Sequence, residues 1–217
     1  MRVSKGRSTY GTIGALVQVL ALLAGLGAAQ GRTLKLVAFG DSLTAGYGVK
    51  PGLRFPEALE KALKAKGYDV SVTNAGVSGE TAEDGLARFD WSVPPDTDAL
   101  VVELGANDML RGMPVESAKS ALAAILAKAA AAHIPTLLTG MKAAPNLGPQ
   151  YRAAFDRIYP DLAAQYDVAL YPFFLDGVAA DPKLNQPDGL HPRPEGVKII
   201  VARILPAVEA RLAKAAK

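Results

Sequence analysis

The chain has 217 residues, half of them hydrophobic and 21% charged, with a net charge of +3. That size and balance suit one globular domain with a sizeable core. With no cysteine and only His133 and His191 as histidines, disulfides, thiolate metal sites and multi-histidine metal sites are excluded. No basic run with interleaved aromatics points to nucleic acid.

In chain order, Arg2, Lys5 and Arg7 precede an apolar stretch over residues 12–26, which leads to the small residues Gly27, Ala28 and Ala29. Charge, apolar stretch and small-residue exit are the pattern of a cleaved export signal. The stretch is glycine-rich and shorter than the ~20 residues of a spanning helix, so an uncleaved anchor is the weaker alternative. Residues 1–29 are therefore expected to be a signal peptide and residues 30–217 the folded domain, exported to a periplasm or secreted. No other segment is apolar enough to span a bilayer.

Residues 33–39 read as a buried strand. Residues 55–66 form a helical stripe through Ala58, Leu59, Ala62 and Leu63. A second strand is expected at 69–74, a helix at 81–89 and a third strand at 98–104. Residues 115–133 are rich in Ala, Leu and Lys with no internal Gly or Pro, which predicts a long helix. A fourth strand follows at 134–140. Residues 151–166 read as a helix with a kink or break at Pro160, and 168–171 as a fifth strand. The last helix is expected at 194–215, with an interruption around Pro206. Strands alternating with helices imply α/β architecture, a parallel sheet covered by helices on both faces. Ligands of such sheets sit beyond the carboxyl ends of the strands.

The chemistry-bearing residues fall at those ends. Ser42 follows the first strand in Gly40-Asp41-Ser42-Leu43, Gly76 and Gly79 follow the second, and Asn107 follows the third. Asp188 and His191 lie in a loop before the last helix. A serine, a histidine and a carboxylate that orients it are the groups acyl transfer needs, in any chain order. Asn amides and Gly N–H groups are suitable donors to an oxyanion. Taken singly, each has an ordinary reading: Ser42 as a helix N-cap, His191 as a loop histidine, the Asn-Gly segments as turns. His133 is read as closing a helix, without a chemical role. There is no Gly-x-Ser-x-Gly elbow, no phosphate-binding glycine loop and no His-Glu-x-x-His.

Together, residues 39–48, 74–88, 101–113 and 171–192 make the chain resemble the SGNH (GDSL) hydrolases. It looks most similar to the periplasmic branch of acyl-CoA thioesterase I, lysophospholipase L1 and arylesterase. The resemblance covers essentially the whole expected mature region. It implies the SGNH hydrolase fold, a three-layer flavodoxin-like sandwich around a five-stranded parallel sheet. It implies a serine esterase acting on carboxylic esters and thioesters through an acyl-enzyme, with no metal and no cofactor. A carbohydrate O-acetylesterase of the same superfamily and a non-catalytic secreted binding protein are the alternatives.

By the same resemblance Ser42 is nucleophile and first oxyanion donor, Gly79 and Asn107 are further donors, His191 is the base and Asp188 orients it. Gly76 stays a rival to Gly79. Ala106 stands where many relatives have a second glycine, which is expected to stiffen the loop 107–114 that moves in relatives. Met109, Leu110, Met113, Met141, Phe173 and Phe174 are candidates to line an acyl groove, with core packing the alternative for Phe173 and Phe174. The expected partner is a small acyl ester or thioester, bound by a monomer.

Overall fold

The structure, a computed structural model, describes Met1 and residues 32–215. The expected signal peptide lies almost wholly outside the described residues. The compact unit described below begins at Thr33.

In chain order the elements are β1 (Leu34–Gly40), α1 (Ser42–Ala45), α2 (Phe55–Ala65), β2 (Val70–Gly76), α3 (Ala82–Ser92), β3 (Ala99–Glu103), α4 (Ala106–Leu110) and α5 (Val115–Ala131). There follow β4 (Thr136–Thr139), a 3₁₀ turn (Pro145–Leu147), α6 (Pro149–Asp156), α7 (Ile158–Tyr166), β5 (Ala169–Tyr171) and α8 (Pro194–Ala215). All strands pair in parallel, in the order β2-β1-β3-β4-β5. This is the flavodoxin-like order, whose topological switch point lies between β1 and β3. α2 packs against α8, and α5 packs between α3 and α7. The central strands β1, β3 and β4 are almost continuously buried, as a sheet covered on both faces requires. Among the described residues, no helix is long and apolar enough to cross a membrane.

Every expected strand and helix is present, with ends shifted by a few residues. Two details differ for physical reasons. The helix expected over 151–166 is divided at Arg157, not at Pro160. Pro160 sits in the first turn of α7, where its missing N–H would have had no helical partner. α8 runs through Pro206 without interruption. Pro206 and Ala202, whose carbonyl loses its helical partner, both lie on the exposed side. Water can satisfy that carbonyl there.

Candidate active site

Ser42 opens α1 at the carboxyl end of β1. Asp41, not Ser42, is the cap: its Oδ1 accepts the Leu43 N–H at 3.0 Å. Gly40 before it is dictated by space. A Cβ there would overlap Thr44 Oγ1 and the Glu103 carbonyl. This close approach of backbone lets the chain turn out of the sheet and leaves Ser42 half-buried at the surface.

The loop 185–192 comes back to the same point. Gln186 Nε2 donates to the Tyr47 carbonyl at 2.7 Å, and the Gln186 N–H donates to the His191 carbonyl at 2.7 Å. The Tyr47 ring lies against the imidazole of His191, ring centres 4.7 Å apart. So held, His191 Nε2 lies 2.9 Å from Ser42 Oγ, and Nδ1 lies 2.7 Å from Asp188 Oδ2. Asp188 Oδ1 also accepts the N–H groups of Leu190 (2.9 Å) and His191 (3.0 Å). Partial burial opposes ionisation of Asp188, but these hydrogen bonds and the imidazole outweigh it and hold its pKa down at about 2. An ionised Asp188 keeps the ring proton on Nδ1, and Nε2 is left to accept from the serine.

The donor candidates divide clearly. The Gly76 N–H is taken by Asn74 Oδ1 at 3.0 Å, and a Cβ at Gly76 would overlap the backbone of Ala45. Gly76 is therefore a packing glycine between β2 and α1. Gly79 is exposed at φ +87, in the left-handed region that favours glycine. Among the described residues its N–H and that of Ser42 have no acceptor. Its carbonyl accepts from Arg111 Nη2 at 2.6 Å. Asn107, in the first turn of α4, points Nδ2 at Asp41 Oδ2 (3.1 Å) and at the Glu80 carbonyl (2.9 Å). Asp108 Oδ2 accepts the Ala82 N–H at 2.9 Å and ties α4 to α3.

A cavity of about 390 Å³ runs from Ser42, Asn107 and His191. Its lining includes Met109, Leu110, Met141 and Phe173, with Lys142 and Leu190 beside them. Phe174 does not line it. It is buried in the core with its ring edge against Phe55, centres 5.0 Å apart. Both follow β5 in an irregular turn, where Phe173 stays partly exposed at the cavity while Phe174 is buried. Met113 is also outside the lining; its carbonyl accepts from Tyr151 Oη at 2.9 Å.

Sequence reasoning passed over Tyr47, Leu190 and Glu103. Glu103 carried a signal: it is the one acidic residue within the apolar strand β3, and it is fully buried. Arg88 was passed over too. Buried, it donates to the Gly40 carbonyl at 3.0 Å and pairs with Glu80 at 2.5 Å, bracing the loops around Ser42.

Fold, switch-point site and the Ser-His-Asp chain bring together the groups that acyl transfer needs on an α/β scaffold. Residues 38–199 match the model of the GDSL-like Lipase/Acylhydrolase family. The chain is 42% identical over 164 residues to Esterase TesA of Pseudomonas aeruginosa, covering 75% of this chain and 82% of that protein. It is 39% identical over 158 residues to Thioesterase 1/protease 1/lysophospholipase L1 of Escherichia coli K12, covering 72% and 74% respectively. Among solved structures, AlinE4, an SGNH-hydrolase family esterase, superposes with TM-score 0.71 at 44% identity, covering 85% of this chain and 99% of that one. A structure of TesA gives TM-score 0.78 at 37% identity, covering 82% and 99%. The chain belongs to the GDSL-like lipase/acylhydrolase family, with the SGNH hydrolase fold. It is an enzyme that hydrolyses ester or thioester bonds.

Proposed function

We propose that Ser42, His191 and Asp188 carry the hydrolysis, with medium-chain to long-chain acyl groups seated in the cavity beside Met109, Leu110, Met141 and Phe173. The observation that carries this reading is the continuous chain from Ser42 Oγ to His191 Nε2 (2.9 Å) and from His191 Nδ1 to Asp188 Oδ2 (2.7 Å). His191 takes the Ser42 proton as the oxygen attacks the acyl carbonyl. The N–H groups of Ser42 and Gly79 receive the oxyanion, and Asn107 contributes by sharing an amide hydrogen. The protonated imidazole then passes its proton to the departing alcohol or thiol. Water repeats the sequence on the acyl-enzyme.

The mostly apolar lining favours fatty acyl esters over acetylated sugars. The names of the relatives widen the field to thioesters and lysophospholipids. Export fits the charge, apolar stretch and small residues of positions 2–29, and it puts the mature enzyme in a periplasm or outside the cell. Turnover of p-nitrophenyl esters from acetate to palmitate tests the reading, alongside covalent labelling with a fluorophosphonate. Ser42→Ala should lose labelling and turnover with its melting temperature unchanged. Retained turnover would remove Ser42 from the role, and a sharp preference for acetate would return the sugar O-acetylesterase.

A further inference from the structure

Beneath the site lies a buried carboxyl pair that the hydrolytic steps do not use. The register of β1 on β3 sets Gly40 opposite Glu103, which brings Glu103 under Asp41. Both residues are fully buried. Glu103 Oε2 accepts from Thr44 Oγ1 (2.8 Å) and from the Asp41 N–H (3.4 Å). No N–H or O–H group reaches the buried Oε1. The two carboxyls themselves lie within hydrogen-bonding reach of each other. Asp41 Oδ2, in turn, accepts from the Asn107 amide at 3.1 Å.

Two buried carboxylates side by side cannot both be ionised without severe repulsion and desolvation. An acid whose Oε1 faces no donor is the one that keeps a hydrogen of its own. We propose that Asp41 and Glu103 are positioning residues for Asn107. Glu103 stays a neutral acid that donates its proton to Asp41, and Asp41, as the single anion of the pair, anchors the Asn107 amide at the site. This rests on the reading of Asn107 as an oxyanion donor. It also limits the negative charge beneath the oxyanion to one.

Burial raises both groups, and the neighbouring Asp41 carboxylate raises Glu103 further, above the usual carboxylate range. The other titratable and charged groups facing the pair are few. His191 acts on Asp41 across the site. Tyr159, itself pushed up by burial, faces the pair from α7. Arg88 reaches the Gly40 carbonyl from α3. Protonation of Asp41 in acid removes the anionic anchor of Asn107.

The test compares Glu103→Leu, Glu103→Gln, Asp41→Asn and Asn107→Ala by kcat and KM on p-nitrophenyl butyrate, with infrared spectra. Glu103→Leu cannot donate to Asp41, and its kcat should fall on the order of 10-fold to 100-fold with KM little changed, part of the loss typical of a whole oxyanion donor. Glu103→Gln, whose amide supplies an N–H in place of the acid proton, should restore most of that loss. Wild type should show a protonated-carboxyl stretch at about pH 8, well above an ordinary carboxylic acid pKa, and Glu103→Gln should lack it. Should Glu103→Leu fail to fold, Asp41→Asn makes the same test, because its amide sets donor against donor at Leu43 or Asn107. In an Asn107→Ala background, Glu103→Leu or Asp41→Asn should lower kcat no further. Absence of the infrared band, or full kcat in folded Glu103→Leu or Asp41→Asn, overturns the inference. If Asn107→Ala keeps full kcat, the oxyanion reading beneath it fails instead.

Discussion

Asp188→Asn probes the chain of hydrogen bonds at its most informative link. The carboxylate accepts the N–H groups of Leu190 and His191 on Oδ1 and the His191 ring on Oδ2. An amide can keep its oxygen on the two backbone donors, but it then turns an NH₂ toward Nδ1. The ring keeps that bond only as the tautomer with its hydrogen on Nε2, facing the serine it should deprotonate. Reversing the tautomer sets two donors against each other and forfeits a charge-assisted hydrogen bond, about 1.5–3 kcal/mol. The anion beside the imidazolium of the transition state is also lost. With charge centres about 4 Å apart and an effective dielectric near 20, that is about 4 kcal/mol. Because the Asp188 side chain is 37% exposed, water screens it, and about half remains. The sum, about 4 kcal/mol, predicts a fall in kcat/KM of about 10³-fold. Stability should change little. The depressed pKa means that the contribution of Asp188 is present above the ordinary value of 3.8 and is lost as pH falls toward about 2. Discounted for exposure it is about 1 kcal/mol, or roughly 2–4 °C in melting temperature at neutral pH. Initial rates on p-nitrophenyl butyrate and a thermal melt measure both. A variant within about 10-fold of wild type would refute the tautomer argument, since that discards most of the calculated barrier.

The two rival glycines should separate by phenotype. Gly76→Ala forces a Cβ into the Ala45 backbone and should lower the melting temperature sharply. Gly79→Ala meets open space apart from Arg111 but strains a φ of +87, so it should fold and lose kcat. A Gly76→Ala protein that melts like wild type would contradict the packing assignment. Tyr159→Phe removes the hydroxyl that donates to the Leu104 carbonyl at 3.0 Å in the core. The orphaned carbonyl should cost about 1–3 kcal/mol of stability in a denaturant titration. An unchanged midpoint would mean that the carbonyl finds another donor.

Residues 33–39 and 98–104 announced central strands because a sheet covered on both faces leaves no polar side to alternate with. The Ala-, Leu- and Lys-rich stretch 115–133, free of internal Gly and Pro, announced α5 for the equally local reason of propensity. The Ser-His-Asp set was legible because acyl transfer restricts which side chains can serve. Pro160 misled because proline breaks a helix only beyond its first turn, and the boundary at Arg157 left no composition signal. Phe173 and Phe174 looked alike because both follow β5 in an irregular turn, where no sequence period tells which ring faces the core. Glu103 was visible as an odd acid among apolar neighbours, but its partner was not.

The sequence by itself therefore determined the alternation of strands and helices, the chemical types at the strand ends and the absence of thiolate or multi-histidine metal chemistry. These depend on local periodicity and on residue identity. The tertiary structure alone decided which groups meet: the 2.9 Å approach of His191 to Ser42 across 149 positions of chain, the choice of Gly79 over Gly76 as a free N–H, and the burial of Glu103 under Asp41. Contacts of that kind follow from strand register and from loops returning to one sheet edge. No local pattern encodes them, because they are properties of the packed whole.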